Sequence, residues 1–177
     1  PWGEYRMNFE LIPIKEYEKE ILRNLMEKYD YEFTQYTHED VNPLGLYGYS
    51  WLDAYWRDPG RWAFFLKADG NLAGFALVNN YPEAGKTDYN MAEFFVMYKY
   101  RRCGLGSFAA ARLFGLFPGS WQIKYHPKNV PSAEFWNRIA EKHSQGGYRR
   151  EERPDLAYPD GSAAQVLFFE TVKVVAT

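Results

Sequence analysis

Residues 93–107 read Glu-Phe-Phe-Val-Met-Tyr-Lys-Tyr-Arg-Arg-Cys-Gly-Leu-Gly-Ser, and they are the most informative part of the chain. An apolar strand ends near Met97, two arginines and two glycines follow, and helical spacing begins at Gly104. Because a helix N-terminus offers unpaired N–H groups and glycines let a turn gather them, such a segment binds phosphate. The stretch therefore predicts an anion site, in particular one for a diphosphate. The alternative is a plain strand–helix turn with two solvated arginines.

The chain on either side of this stretch predicts one α/β domain over residues 1–177, without repeats or linkers. Asp69-Gly70 is a hairpin turn signal, Ser50 is the expected N-cap of a short helix, and Asn129 is the expected N-cap of another. The expected order is β-α-α-β-β-β-α-β-α-β-β. The periodicity predicts strands at 7–12, 62–67, 72–79, 88–97, 121–125, 148–153 and 165–172, and helices at 15–29, 50–56, 104–116 and 129–143.

Composition excludes several classes of function. The 177 residues are 46% hydrophobic and 25% charged, and 21 Lys and Arg against 23 Asp and Glu give a net charge of −2. No basic block suits nucleic acid, and no apolar run approaches the roughly 20 residues of a membrane span. The single cysteine excludes a disulfide framework and a cysteine-cluster metal site, so no metal is expected. An unpaired thiol and the lack of a signal-peptide pattern point to the cytoplasm.

Two common phosphate-binding motifs do not fit the glycines. Gly104, Gly106 and Ala109 satisfy the dinucleotide fingerprint G-x-G-x-x-A, but that motif needs an acidic residue about 20 positions further on. Lys124 and Tyr125 stand there instead, and the preceding strands form a hairpin meander. A P-loop needs Gly-Lys-Ser or Gly-Lys-Thr, which the chain lacks.

A third pattern fits the whole chain. Residues 101–106, Arg-Arg-Cys-Gly-Leu-Gly, match R/Q-x-x-G-x-G/A, and together with the strand at 95–100 and Asn129 they resemble the GCN5-related N-acetyltransferases (GNAT). The resemblance implies a mixed, mostly antiparallel sheet with helices on both faces. It also implies acetyl-CoA as cosubstrate, held where the fourth and fifth strands separate. The cofactor-binding residues implied are Phe95, Val96, Met97, Arg101, Arg102, Cys103, Gly104, Leu105, Gly106, Ser107, Asn129 and Trp136.

The resemblance divides these residues by role. The backbone at Val96 and Met97 would pair with the pantetheine arm, and the amides of residues 102–107 would hold the pyrophosphate. Arg101 is the family's cation, whereas Arg102 is an added one that reaches the 3′-phosphate or faces water.

Direct acyl transfer to an amine requires a base, because a protonated amine cannot attack. Glu93 is the candidate, on a strand face shared with Tyr89, Met91, Phe95 and Met97, where apolar surroundings would raise its pKa. The alternative for Glu93 is an ion pair with a nearby cation. His126 is the rival base, since imidazole titrates near neutrality.

The general acid is less defined. Many family members carry a tyrosine seven residues after the asparagine, but this chain has Trp136, which cannot donate a proton in that role and could stack on pantetheine. Tyr125, Tyr98 or a water could serve instead, or the thiolate leaves unassisted. Cys103 is judged incidental as a nucleophile, because no Asp partner for a histidine base is evident. The presence of Trp136 in place of the family's tyrosine leaves open a second function, a non-catalytic acyl-CoA-binding or sensing domain.

The acceptor is expected to be a small-molecule or peptide amine, without nucleic acid or membrane partners. Aromatic and acidic residues within 36–56 fall where this family builds its acceptor wall, and they could hold a cationic amine by cation–π contacts. An aromatic core with solvated acids is the alternative. A monomer and a homodimer both remain open.

Overall fold

Seven strands form one sheet in the order β1-β2-β3-β4-β5-β7-β6. The structure is a computed structural model and describes residues 5–172. Single 3₁₀ turns at Glu16–Glu18 and Tyr98–Tyr100 join the longer elements. These elements are β1 (Phe9–Pro13), α1 (Lys19–Thr37), α2 (Ala54–Arg57), β2 (Arg61–Ala68), β3 (Asn71–Asn79), β4 (Tyr89–Val96), α3 (Leu105–Leu116), β5 (Ser120–Tyr125), α4 (Val130–His143), β6 (Tyr148–Ala157) and β7 (Ala163–Glu170).

The sheet is mixed and mostly antiparallel, which confirms the expected fold class and element order. Strands β1 to β4 form an antiparallel meander, β4 and β5 are parallel, and β5, β7 and β6 are again antiparallel. The Asp69-Gly70 turn joins β2 to β3 with φ of 50° and 79°. Positive φ at both positions is what a two-residue hairpin loop requires.

The parallel pair separates soon after it begins. β4 and β5 pair only from Tyr89↔Trp121 to Met91↔Ile123, although both strands continue beyond these residues. A cleft therefore opens between the second half of β4 and the end of β5. The family resemblance predicted that the fourth and fifth strands separate, and the structure confirms that they do.

Helices cover both faces of the sheet, and each face has its own apolar core. Helices α3 and α4 pack on one face, around the fully buried Trp121, Leu105 and Leu113. Helices α1 and α2 cover the other face, around Leu22 and Phe75. A sheet that is buried on both sides explains why β3 is apolar over most of its length.

The helices on the second face differ most from the sequence prediction. Helix α1 begins at Lys19 and ends at Thr37. It extends past Tyr29 because the helical spacing of apolar residues continues at Phe33. Helix α2 covers only Ala54–Arg57, and Ser50 is not its N-cap. In the turns just before it, Ala54 N–H donates to Trp51 C=O and Tyr55 N–H donates to Leu52 C=O. Hydrogen bonds between residues i and i−3 have 3₁₀ rather than α geometry.

Two edge strands extend beyond their expected limits through prolines. β1 ends on Pro13 itself, and β6 continues past Arg153 through Pro154 to Ala157. Both strands lie at the edges of the sheet, where a missing N–H costs no ladder hydrogen bond. The register of β6 is irregular between Arg153 and Ala157, as expected around a proline.

A β-bulge in β4 changes which side chains share a face. Leu77 pairs with Glu93 but the next residue, Val78, pairs with Met91, so Ala92 has no partner on β3. One extra residue reverses the alternation of side chains beyond it. Met91 therefore packs against α3 and α4, whereas Glu93 faces α1 together with Phe95. The expectation that Glu93 shares a face with Tyr89 and Met91 is wrong for this reason.

Candidate active site

Two cavities meet at the cleft between β4 and β5. The first, of about 560 Å³, contains the loop at residues 101–107 and is called the loop groove here. The second, of about 410 Å³, lies on the α1 side of β2 to β5 and is called the sheet cavity. Both volumes are in the range of small-molecule sites. The residues that line both cavities are Tyr29, Phe33, Phe94, Asn129, Ser132 and Trp136.

The loop groove ends at an open helix N-terminus. Gly104 is the N-cap of α3 with φ of 92°, and no side chain caps the helix. The first helical hydrogen bond runs from Phe108 N–H to Gly104 C=O at 3.0 Å, so the amides of Leu105, Gly106 and Ser107 have no partner within the helix. A Cβ at Gly106 would stand 3.2 Å from the Phe135 ring. These features fit a bound diphosphate.

Arg101, expected to bind the cosubstrate, is paired with a carboxylate in this structure. Its two terminal nitrogens donate to both carboxylate oxygens of Glu32 on α1, at 2.6 and 2.5 Å. Its Nε–H donates to the Val96 carbonyl at 2.9 Å. Arg101 therefore ties the loop to α1 and to the end of β4. Arg102 is exposed beside the groove, and Arg138 on α4, which no sequence motif marks, also lines it.

The backbone of β4 offers different groups from those expected. Met97 donates its N–H to Ala73 at 2.8 Å and accepts from Tyr100 at 2.9 Å, so both of its backbone groups are occupied. Antiparallel pairing alternates, and with Ala73 bonded to Met97 the backbone groups of Phe94 and Val96 point away from β3. The Phe94 groups and the Val96 N–H face the cleft, whereas the Val96 carbonyl accepts from Arg101. Phe95 itself pairs with β3 and packs its buried ring against α1.

The remaining loop residues contribute in other ways. The Cys103 thiol donates to the Tyr100 carbonyl at 2.8 Å and is only partly exposed. Leu105 is fully buried in the core and does not line the groove. Ser107 lines the groove in the first turn of α3.

Glu93 lies in the sheet cavity, next to the cleft. Burial raises the pKa of Glu93 to about 7, against the opposing effect of a hydrogen bond with Tyr29, and the nearby Asp30 raises it further. The hydroxyl groups around this carboxyl stay protonated, because burial raises the pKa of each tyrosine above its ordinary value. These residues are Tyr29, Tyr49, Tyr55 and Tyr158.

His126 is fully buried, and both of its ring nitrogens have partners. Nδ1 accepts from the Lys128 amide at 3.1 Å, so the proton resides on Nε2, which lies 3.1 Å from Asp160. Burial alone would raise the pKa of Asp160, but hydrogen bonds from Lys128, Ser162 and His126 hold it well below the ordinary value. The expectation that His126 lacks an acidic partner is wrong, because Asp160 reaches it from the turn between β6 and β7.

Three further residues stand between the two cavities. The Tyr125 hydroxyl is buried and accepts an N–H of Asn137 at 2.9 Å, which leaves its own proton free to be donated. The Asn129 side chain caps α4 by accepting from Ser132 N–H at 3.2 Å. Trp136 is buried with its ring edge-on to Phe94, at 4.9 Å between centroids.

The segment 36–56 contributes aromatic rings but not acids to the sheet cavity. Tyr49 and Trp51 line it, together with Arg61 from β2. None of the acidic residues of this segment lines the cavity: Asp53 pairs with Lys19 at 3.1 Å, and just beyond the segment Asp58 pairs with Arg57 at the same distance.

Metal and membrane features are absent from the described part of the chain. No group of three or more His, Cys, Asp or Glu within residues 5–172 is placed to hold a metal ion. None of the helices in that range is both long and apolar enough to cross a bilayer.

The sequence places this fold among the acetyltransferases. The sequence model of the Acetyltransferase (GNAT) family matches residues 19–140, and the chain belongs to this family. Among curated proteins, none matches the chain.

Solved structures share the fold at low sequence identity. The acetyltransferase from Thermus thermophilus is 17% identical with a TM-score of 0.64, over 92% of this chain and 97% of that one. Arabidopsis thaliana NAA60, solved with acetyl-CoA, is 13% identical with a TM-score of 0.61, over 93% and 99%. The ribosomal-protein-S18-alanine N-acetyltransferase from Escherichia coli is 12% identical with a TM-score of 0.59, over 96% and 97%.

Proposed function

We propose that the protein is an acetyl-CoA-dependent N-acetyltransferase that moves the acetyl group directly to a primary amine. One domain over residues 1–177 carries this activity. The observation that supports it best is the meeting of two cavities at one cleft. An uncapped helix N-terminus lies in the first cavity, and a carboxyl with a pKa of about 7 lies in the second.

The loop groove is the proposed acetyl-CoA site. When bound there, acetyl-CoA supplies an acetyl group activated as a thioester. The amides of residues 102–107 hold the diphosphate, and Arg102 and Arg138 add positive charge beside it. The Val96 amide points into the cleft and can donate to the pantetheine arm or to the thioester carbonyl. Trp136 and Phe94 form an apolar wall along the same path.

Glu93 is the proposed general base. An acceptor amine enters as the ammonium ion, and Glu93 takes its proton directly or through a water. A pKa of about 7 leaves a substantial fraction of the carboxyl ionised at neutral pH and keeps it basic enough to accept a proton. His126 is less suitable, because its only unprotonated nitrogen already accepts from Lys128.

Tyr125 is the proposed general acid for the departing thiolate. Asn137 donates to its oxygen and fixes the direction of the hydroxyl, whose proton remains available. Trp136 stands at the position where the family places its tyrosine and does not replace it, since indole is not an acid.

Calorimetry with coenzyme A, followed by thiol release from acetyl-CoA with a panel of primary amines, tests the proposal. We expect Glu93→Gln to lower kcat/KM by about 100- to 10,000-fold without changing coenzyme A affinity. Glu83→Gln is the control, because it removes a carboxyl of the same cavity that is already paired with Lys124. Tight binding with no turnover on the whole panel would instead indicate the non-catalytic acyl-CoA sensor.

The proposed compartment is the cytoplasm. The thiol of Cys103 is free and only weakly hydrogen-bonded to a carbonyl, which suits a reducing environment.

A further inference from the structure

Arg61 presents a buried positive charge to the sheet cavity. It begins β2 and lines the cavity, with 12% of its side chain exposed. Its Nε is buried without a hydrogen-bond partner, and the nearest carboxylate oxygen, on Asp58, lies 3.8 Å away. Asp58 is closer to Arg57, at 3.1 Å. Because a buried charged donor without a partner is costly, the Nε of Arg61 calls for an anionic partner.

Aromatic rings surround Arg61, and the Tyr55 hydroxyl also hydrogen-bonds to it, whereas its Nε is left without a partner. The guanidinium carbon lies 4.2 Å from the ring centre of Tyr81, 5.6 Å from that of Tyr55 and 5.7 Å from that of Trp51. Rings stabilise the flat face of a guanidinium, whereas its N–H groups point outward in the plane, in the geometry that matches a carboxylate. These aromatic residues therefore serve a cation of the protein and not the ammonium group of an acceptor.

Arg61 and Glu93 stand at opposite ends of the cavity. Arg61 pairs with Asn79 across β2 and β3, and Asn79 pairs with Asn90 across β3 and β4, so the three residues form a row on one face. Glu93 pairs with Leu77, which lies two residues from Asn79 along β3 in the direction of the loop groove. Strand spacing and rise place the backbones of Arg61 and Glu93 about 12 Å apart.

We propose that the acceptor of this enzyme carries a carboxylate as well as its reactive amine, and that Arg61 binds that carboxylate while Glu93 faces the amine. The inference rests on the function proposed above. One guanidinium beside the neutral amides of Asn79 and Asn90 matches a single negative charge rather than a phosphate dianion. The second cation of the cavity, Lys124, is already paired with Glu83 at 2.7 Å. The acceptor class is thus a free amino acid or a short peptide.

The test compares each acceptor with its own carboxamide. Unbranched amino acids of increasing chain length and a set of dipeptides are assayed by thiol release from acetyl-CoA, in acid and amide form. We expect the acids to be preferred by the wild-type enzyme. Arg61→Gln should lower kcat/KM for the preferred acid by about 10- to 100-fold and leave that for the amide nearly unchanged. Coenzyme A affinity should not change, because Arg61 lies outside the loop groove.

A structural role for Arg61 would give a different result. Asp58→Asn is the control, since it removes the nearest carboxylate and keeps the guanidinium. If Arg61 served only an ion pair with Asp58, both variants would lower thermal stability and neither would alter the acid-to-amide ratio. Amides acetylated as well as acids, with a ratio unchanged in Arg61→Gln, overturn the inference and leave the proposed function intact.

Calorimetry separates the inference from the proposed function. The protein loaded with coenzyme A is titrated with the same acids and amides, so that binding is measured without turnover. Acids that bind the wild type and not Arg61→Gln support the carboxylate site even if none is acetylated, in which case the transferase proposal fails alone. Absence of binding by every acid overturns the inference.

Discussion

Glu93→Gln should stabilise the protein at high pH and have little effect at low pH. The carboxyl has an ordinary pKa of 4.5, and burial raises it to about 7 in the folded protein. Below about pH 4 both the folded and the unfolded chain hold the proton, so the neutral glutamine changes little. As pH rises from 4.5 to 7, the unfolded chain loses the proton first, and the stability of the wild type falls.

The size of this effect follows from the two pKa values. The difference between the two pKa values corresponds to about 3 kcal/mol in the free energy of unfolding. Above about pH 8 the wild type has lost this stability in full, whereas the glutamine variant has lost none of it. For a chain of this length that is roughly 6 to 12 °C in Tm. Burial raises the pKa of Asp30 to about 7 as well, and the effect of Asp30 on Glu93 is already contained in the raised pKa of Glu93.

Urea unfolding of both proteins across this pH range measures the difference directly. The expected result is a stability gain that is near zero at about pH 4 and grows to its full value at about pH 8. Glu134→Gln, which alters an exposed carboxyl on α4, is the control and should show no gain. A variant that is equal to or less stable than the wild type at the higher pH would contradict the assignment of a raised pKa to Glu93.

Three further substitutions test the packing and the polar contacts. Gly74→Ala would place a Cβ 2.0 Å from the Phe95 carbonyl oxygen and should cost about 1–3 kcal/mol or more in urea unfolding. Gly115→Ala, in the last turn of α3, meets no atom within 4 Å and should instead stabilise by about 0.4–1 kcal/mol. Asp160→Asn weakens the contact with His126 and should lower Tm at neutral pH. Because hydrogen bonds hold the pKa of Asp160 below its ordinary 3.8, this loss should shrink as pH falls below that value.

The parts of the fold that depend on neighbouring residues could be predicted from the sequence. The Asp69-Gly70 turn, the Asn129 cap and the glycine turn before α3 are local signals, and the structure has each at its predicted position. The cleft between β4 and β5 followed only from the family resemblance, because nothing in either strand marks where their pairing ends.

The parts that depend on distant residues could not be predicted. The partner of Arg101 is Glu32, 69 positions away, and the partner of His126 is Asp160, 34 positions away. Arg61 carries no sequence signal, because a lone arginine at the start of a strand is usually solvated. Only the register of three strands brings it to the same cavity as Glu93.

The unpaired Ala92 also bears on how such a domain could change over evolutionary time. A strand that kept this residue but lost the bulge would pair Ala92 with Leu77 and rotate Glu93 toward α3 and α4, away from any incoming amine. Every side chain proposed to take part in the reaction would still be encoded, yet the base would be missing from the reaction path. A change of register at this bulge can therefore abolish or create activity that an inventory of residue types would not reveal.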